Sequence, residues 1–462
     1  MRKLLVIPVV AWCLVAGAVT QAEVWQALHE WTMEEELRFA AWVSEYVDEN
    51  FFLNHRIPVD CADVPYGLRW IYARIRRLPA AATGKYGSFV GHWSSDWDHI
   101  PSYSRWDRDP RFRHSLLAVL AMTTTESIPN DTYPIQVIPA YVTPGSVFLT
   151  TEAHTGVIGR IVSDGSTIHP LQTWESSLPV KRQKLKMRDF LMHSPNAANQ
   201  SGLLKFRWLD RVNGQWRYID RQAQPAYSEE QYGPDFYQET LVYADAVAKR
   251  IDSREHDPGE KAGRVIDLII KMLDERVPIV LSGYGYCSKK PCPEGSDMWE
   301  AYSTPLRDRK IRLLFWYLDT IIEENGLGPK PFLARMKATR FDIGNKKAVD
   351  LFHIYKNREW LSYDPDDPIP MRWGLMKCEM IRLRLATLAD AITFVGGTYT
   401  EEDPAYARRI ITQYEKEIER LRKEQKSAHC QPVVESIRRA CPSLVRTMKP
   451  DLTADRHGRG PS

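Results

Sequence analysis

Cys61 has the sequence surroundings of a nucleophilic cysteine. It stands in the segment Asp60-Cys61-Ala62-Asp63, directly before residues whose apolar positions recur at helical spacing. Asp60 is a good helix N-cap, and the free amide groups at the start of a helix favour a thiolate over a thiol. The pattern therefore predicts a lowered pKa for the Cys61 thiol and a catalytic thiolate at neutral pH. Many structural cysteines also begin helices, so a catalytic role requires a base nearby.

His154 is the residue that best fits this base. Residues 147–151 and 154–162 are rich in branched and small side chains, which predicts two strands with His154 at the start of the second. A turn at Asp164-Gly165 and a partner strand at 167–174 would complete a hairpin. A lone histidine is more often structural than catalytic. Its position after a Pro-Gly turn, a short apolar strand and a brief loop favours the catalytic interpretation.

Four short motifs occur in a fixed order along residues 58–175. They are Asp60-Cys61-Ala62, Pro144-Gly145-Ser146-Val147-Phe148, His154-Thr155-Gly156-Val157-Ile158 and Ile168-His169. This order resembles that of NlpC-type cysteine peptidases, which are papain-like enzymes of bacterial envelopes. The family pattern is Asp-Cys-Ser-Gly, then Pro-Gly-Asp-Leu, then His-Val-Gly-Ile, then a hairpin ending in Ile-His. Ser146 departs from it, because the family has an acidic residue at that position.

The resemblance implies an α+β fold for residues 23–225, with N-terminal helices packed on a small antiparallel sheet. It implies Cys61 as nucleophile, His154 as base and His169 as the polar residue that orients His154. It also implies hydrolysis of an amide bond in peptidoglycan stem peptides, with no metal or organic cofactor. Two alternatives stay open. The same Cys-His pair serves acyl transfer or de-esterification of a lipid or small amide, and an inactive envelope-binding or scaffold protein could keep the fold.

Glu175 is a second candidate for the residue that orients His154. A two-residue turn at Asp164-Gly165 would set His154 opposite Glu175 and separate it from His169 by roughly 20 Å along the strands. A bulge or a longer loop must shift this register if His169 is to serve. Both residues share the His154 face of the hairpin, and a carboxylate orients an imidazole well. The resemblance favours His169, and Glu175 is its rival.

The organisation of the chain predicts export and two folded parts. Arg2 and Lys3 precede an apolar stretch at residues 4–19 and a small-residue cleavage site, so residues 1–22 are predicted to be a signal peptide. The mature protein would be periplasmic or extracellular, and no later segment is apolar enough to cross a bilayer. Residues 226–448 show an almost wholly helical pattern of unknown role. The polar residues 449–462 are predicted to be a disordered tail.

Six cysteines remain after that cleavage, and an oxidising compartment favours disulfides among them. Cys287 with Cys292, and Cys430 with Cys441, are plausible local pairs. Cys61 and Cys378 are left over. They could bridge each other, which would contradict a catalytic role for Cys61.

Composition and motifs exclude several other functions. The chain of 462 residues carries 62 Lys+Arg against 59 Asp+Glu, so it has no overall charge footprint of a nucleic-acid-binding protein. It contains no phosphate-binding glycine loop, zinc-protease helix motif or Gly-x-Ser-x-Gly elbow. Residues 92–99 include metal-type ligands, but their irregular spacing favours a groove wall or a plain loop.

Overall fold

The computed structural model of the chain describes residues 23–192, 194–236, 242–254, 256–344, 346–399, 403–428 and 430. The predicted signal peptide at 1–22 and the predicted tail at 449–462 lie outside these residues. About 49% helix accompanies small sheets in which every strand pairing is antiparallel, and this confirms the predicted α+β class. No helix in the described part of the chain is both long enough and apolar enough to cross a membrane.

The first half of the chain combines short helices with a six-stranded sheet. Its helices are α1 (Met33–Tyr46), α2 (Phe51–Asn54), α3 (Asp63–Arg76), α4 (Pro110–Met122) and α5 (Ile128–Asp131). Its strands are β1 (Ala81–Thr83), β2 (Phe89–Gly91), β3 (Thr132–Pro134), β4 (Val147–Leu149), β5 (Thr155–Ile161), β6 (Leu171–Glu175), β7 (Lys186–Asp189), β8 (Gly202–Phe206), β9 (Leu209–Val212) and β10 (Gln215–Tyr218). The large sheet has the order β3-β8-β4-β5-β6-β7, and helices α1 and α3 pack on β5 at its centre.

Helix α3 is buried along almost its whole length. Trp70, Ile71 and Tyr66 have no exposed surface, and they join the aromatic core that α1 and α4 complete. Arg77 ends the helix in the left-handed conformation, which closes its last turn. The helix predicted directly after Cys61 begins at Asp63. Cys61 lies in the turn before it.

The second half is mainly helical, as predicted. It contains α6 (Val242–Ile251), α7 (Pro258–Cys287), α8 (Asp297–Tyr302), α9 (Pro305–Glu324), α10 (Lys330–Ala338), the hairpin of β11 (Arg340–Asp342) and β12 (Ala348–Asp350), α11 (Leu351–Lys356), α12 (Ile369–Arg372), α13 (Lys377–Tyr399) and α14 (Pro404–Ser427). Packing crosses the boundary predicted after residue 225. Tyr243 of α6 joins the core on the sheet, and Ile168 joins the core between α7 and α9.

The disulfides agree only in part with the sequence prediction. Cys287 bonds to Cys292, as predicted. The predicted pair of Cys430 with Cys441 is wrong, because Cys430 bonds to Cys378. Helices α13 and α14 pack as an antiparallel pair, which brings the start of one to the end of the other. Cys441 lies outside the described residues, and Cys61 is free, so Cys61 and Cys378 do not bridge.

A buried ion pair fixes α9 against α7. Arg276 and Asp308 are fully buried, with Arg276 Nε 2.6 Å from Asp308 Oδ1 and its Nη2 2.9 Å from Oδ2. The same guanidinium donates to the carbonyl oxygens of Ser362 and Arg372. Thr304 donates to Asp308. These contacts set the position of the α9 N-terminus.

We expect Asp308→Ala to lower the free energy of unfolding by about 3–5 kcal/mol, because it leaves Arg276 buried without its counter-charge. Urea unfolding followed by circular dichroism measures the change. The control is Glu260→Ala, which removes an exposed partner of Arg264 and should cost less than about 1 kcal/mol. Equal small effects in the two variants would contradict the structural role of the buried pair.

Candidate active site

The turn before α3 is built by two carboxylates. Asp60 Oδ1 accepts hydrogen bonds from the amides of Ala62 at 2.9 Å and Asp63 at 3.2 Å. Asp63 Oδ2 accepts in return from the Asp60 amide at 2.8 Å. This reciprocal pattern holds Cys61 inside the turn. The predicted N-cap role of Asp60 is wrong, because Ala62 occupies the N-cap position of α3 and no side chain makes the capping bond there.

The segment before Cys61 is fastened to the loop that follows β6. The Val59 amide donates to the Lys181 carbonyl oxygen at 3.0 Å, and the Val59 carbonyl accepts from Gln183 Nε2 at 2.7 Å. Ser176 also donates to that carbonyl. Cys61 therefore has a fixed position between α3 and the sheet.

The Cys61 thiol is partly buried and points towards β5. The backbone of Thr155 hydrogen-bonds to its sulfur, and Thr155 directly follows His154. The fold thus brings the two residues that carry the predicted chemistry to neighbouring parts of one site. No hydrogen bond joins the Cys61 sulfur to the His154 ring among the described residues. Catalytic hydrogen bonds are often long in resting enzymes and shorten when substrate binds.

The prediction of a lowered pKa for Cys61 is wrong. Burial and the Asp60 carboxylate raise the pKa of the thiol to about 12, although hydrogen bonds from the backbone of Thr155 and Ala62 act in the opposite direction. Burial raises the pKa because the charged thiolate loses its hydration. Asp60 raises it because its negative charge opposes a second negative charge on the adjacent sulfur. The resting form at neutral pH is therefore the neutral thiol.

The backbone N–H of Cys61 contacts only the sulfur of the same residue among the described atoms. Among the residues that the structure describes, no oxygen accepts a hydrogen bond from it. It lies before the first turn of α3, where amide groups point out of the helix. Such a group can donate to an oxyanion that forms beside the sulfur.

His154 is held at the start of β5 by a tight turn. Its amide donates to Thr150 Oγ1 at 3.1 Å, and its carbonyl accepts from the Thr150 amide at 2.8 Å. Ala153, between them, has a φ of 57°, in the left-handed region that costs a non-glycine residue roughly 1–2 kcal/mol. This turn places the imidazole beside the end of β6.

Glu175, rather than His169, orients the imidazole. His154 Nε2 lies 3.0 Å from Glu175 Oε2, and the two side chains are 17% and 11% exposed. Glu175 Oε1 accepts from Thr173 Oγ1 at 2.8 Å. With Nε2 donating to the carboxylate, the neutral ring keeps Nδ1 as its basic nitrogen, and Nδ1 has no partner among the described residues.

The register of the hairpin explains this result. The predicted two-residue turn at Asp164-Gly165 is wrong, because residues 162–170 form a longer loop. A bulge at Gly159 shifts the pairing of β5 with β6, and a Cβ at this position would lie only 2.6 Å from Trp174 Cδ1. Despite these changes His154 stays beside the end of β6. Its side chain reaches Glu175 there.

His169 has a different task, so its predicted role beside His154 is wrong. The residue is buried, its Nδ1 accepts from the Leu171 amide at 3.0 Å, and its Nε2 lies 2.8 Å from the Ala244 carbonyl oxygen. Burial lowers its pKa to about 4, so the ring is neutral at physiological pH. His169 fastens α6 to the loop before β6.

The helical half also reaches this site. Lys310 of α9 places its Nζ 3.6 Å from Glu175 Oε2, and Arg309 binds Glu152 at 2.9 Å. Burial alone would raise the pKa of Glu175, but the Lys310 charge and the hydrogen bond from His154 hold it well below its usual range. Sequence reasoning missed Lys310, because nothing in the sequence of its helix indicates a contact with Glu175, which is far away along the chain. Thr173 was also missed, although it shares a strand face with Glu175.

Metal-type ligands in the predicted segment 92–99 do not form a site. His92 is buried, lies 3.3 Å from the Ala80 backbone and packs among tryptophan rings. Within the described ranges, Cys287, Cys292 and Asp366 are the one group of such ligands that comes together. The two cysteines are joined to each other in the disulfide.

No protein-family model, curated protein or solved structure matches this chain. Its function is therefore inferred from the chemistry of the site and from the motif resemblance.

We expect iodoacetamide to label Cys61 about tenfold faster for each pH unit between 7 and 9, because the thiolate fraction rises tenfold per unit below the pKa. Peptide-resolved mass spectrometry measures the rate at this residue alone. A rate that is already constant across this range would show a preformed thiolate and contradict the raised pKa.

We expect Asp60→Asn to increase the labelling rate of Cys61 at a given pH. The change removes the negative charge that raises the thiol pKa, while the asparagine oxygen can still accept from the amides of Ala62 and Asp63. The control is Asp48→Asn, which neutralises an exposed carboxylate that accepts from the Asn50 amide, away from the site. A rate unchanged in Asp60→Asn would show that burial alone sets the pKa.

Proposed function

We propose that this protein is a cysteine hydrolase that cleaves amide bonds, with Cys61 as nucleophile, His154 as base and Glu175 as the residue that orients the base. The hydrogen bond of 3.0 Å between His154 Nε2 and Glu175 Oε2, beside a free cysteine, carries the proposal. A nucleophile, a base and an orienting group are the three parts that nucleophilic catalysis needs. A cysteine before a helix packed on the strand that bears the histidine also supports a papain-like, NlpC-type domain.

The first step starts from the neutral thiol. Cys61 Sγ attacks the carbonyl carbon of the amide while His154 Nδ1 takes the thiol proton, and the carbonyl electron pair moves to oxygen. The Cys61 N–H, from which no oxygen of the described residues accepts, donates to this oxyanion. A raised thiol pKa makes the base necessary, because little thiolate exists before attack.

The second step returns the proton. The tetrahedral intermediate collapses, the C–N bond breaks, and the imidazolium gives its proton to the leaving amine. The resulting thioester is then attacked by water, whose proton passes through His154 to the sulfur as the carboxylic acid leaves. Glu175 stabilises the imidazolium in both stages of the reaction, and Lys310 keeps Glu175 ionised.

The proposed substrate is an amide in peptidoglycan stem peptides. It rests on the NlpC-like motifs at Cys61, His154 and the Pro144-Gly145 turn, together with the predicted export of the chain. Acyl transfer or de-esterification of a lipid or small amide is a second candidate. One observation favours it, because a mostly apolar cavity borders His154.

The inactive scaffold is less well supported. A bridge between Cys61 and Cys378 would have favoured it, and Cys378 is instead bonded to Cys430. A buried carboxylate that pairs with an imidazole at the edge of a cavity is also typical of functional sites.

We expect Cys61→Ala to abolish hydrolysis and His154→Ala to lower it by about 10²–10⁴-fold, the usual contribution of a general base. Glu175→Gln should retain the hydrogen bond to His154 but lose the charge that stabilises the imidazolium. Its activity should therefore fall less than that of His154→Ala. Chromatography of muropeptides released from purified sacculi measures the activity.

The matched control is His114→Ala, which removes an exposed imidazole from α4. It should leave the muropeptide profile unchanged. Identical profiles for the wild type, Cys61→Ala and His154→Ala would exclude wall hydrolysis. Model amide and ester substrates, tested with the same variants, would then separate the second candidate from an inactive protein.

A further inference from the structure

A cavity of about 220 Å³ lies between the sheet and the helical half. Strands β6 and β7 form one wall, and helices α7 and α9 form the other. Its interior is mainly apolar, with buried or partly buried side chains including Phe190, Met192, Met272, Leu313 and Leu314. Glu175 and His154 border the same space.

The charged groups around this cavity are not all neutralised. Three of its cations have carboxylate partners: Arg188 binds Glu275 at 2.7 Å, Arg309 binds Glu152 at 2.9 Å, and Lys310 lies 3.6 Å from Glu175. Lys186 and Arg307 also line the cavity. Asp189 also lines it. Among the described residues, no carboxylate lies within ion-pair distance of the Lys186 or Arg307 side chain, although the charge of Glu275 acts on both.

These two cations lie near each other at the edge of an apolar space. Partial enclosure of its amine and the positive charges of Arg188 and Arg307 lower the pKa of Lys186, and the Glu275 carboxylate acts in the opposite direction. Leu306, beside Arg307, is 51% exposed although it lines the same cavity. An excess of positive charge next to exposed apolar surface attracts a ligand that has an anionic end and an apolar body.

We propose that this cavity binds a medium-length alkyl carboxylate, with the chain between Met192, Met272 and Leu313 and the carboxylate at Lys186 and Arg307. Arginine and lysine form strong, charge-assisted hydrogen bonds with a carboxylate. The volume is below the roughly 300–1,000 Å³ that is typical of sites for drug-sized molecules, so the site fits one short chain better than a two-chain lipid. The proposal does not depend on the hydrolase function.

Two sources could supply such a chain, either a free fatty acid or an acyl chain of an anionic phospholipid. The binding experiment separates them by calorimetry on the full chain carrying Cys61→Ala, so that no turnover occurs. Decanoate, decanol, acetate and dihexanoyl phosphatidylglycerol are titrated separately. We expect decanoate to bind, decanol to bind at least about tenfold more weakly, a difference of about 1.4 kcal/mol, and acetate not to bind. Tighter binding of the phospholipid than of decanoate would overturn the free acid as ligand.

Variants of the two cations test the assigned contacts. Arg307→Met and Lys186→Met should each weaken decanoate binding about tenfold and leave decanol binding unchanged, because each removes one charge-assisted contact. The control is Arg182→Met, an exposed cation in the loop before β7 and outside the cavity. Leu313→Trp should fill the interior of the cavity and weaken the binding of both decanoate and decanol. Thermal unfolding checks that this variant is folded.

Three results would overturn the proposal: absence of decanoate binding to the folded protein, equal affinity for decanol and decanoate, or undiminished binding in both cation variants. The binding and hydrolysis measurements distinguish failure of this ligand proposal from failure of the hydrolase proposal. Decanoate binding is measured without the nucleophile, whereas hydrolysis is measured with it.

Discussion

The hydrogen bond between His154 and Glu175 joins three separate parts of the molecule. The histidine lies at the start of β5, the glutamate ends β6, and Lys310 reaches the same carboxylate oxygen from α9. A carboxylate this deeply buried is costly unless its oxygens are paired. Thr173, His154 and Lys310 supply those partners together. The orientation of the imidazole therefore depends on the sheet register and also on the docking of a helix from the second half.

The turn at Cys61 combines two demands that oppose each other. The Asp60 carboxylate organises the first turn of α3, and the same negative charge raises the pKa of the adjacent thiol. Burial acts in the same direction. Helix-start amides are too weak to overcome both effects, which explains why a position that favours thiolates in general holds a neutral thiol here.

The two halves of the chain form a continuous structure around the site. His169 bonds to the Ala244 carbonyl, Arg188 pairs with Glu275, and Ile168 enters the core between α7 and α9. The cavity beside His154 exists only because these contacts hold the helices against β6 and β7. The buried pair of Arg276 with Asp308 fixes the end of α9 that carries Arg307 and Lys310. Stability of the helical half and geometry of the site are thus linked.

The sequence by itself determined the features that depend on neighbouring residues. The Cys287–Cys292 bond followed from local spacing, and the α+β class followed from the motif resemblance. Cys61 and His154 were selected by short motifs in a fixed order, and the fold places them in one region. Their catalytic roles remain proposals.

Only the tertiary structure decided what depends on distant residues. Glu175 rather than His169 meets His154, because the pairing of β5 with β6 keeps His154 beside the end of β6 even with its bulge and longer loop. Cys430 meets Cys378 because α13 and α14 pack side by side in opposite directions. The Cys61 pKa depends on burial, and Lys310 reaches Glu175 across the boundary between the halves. Burial and long-range contacts arise from packing of the whole chain, so no local pattern encodes them.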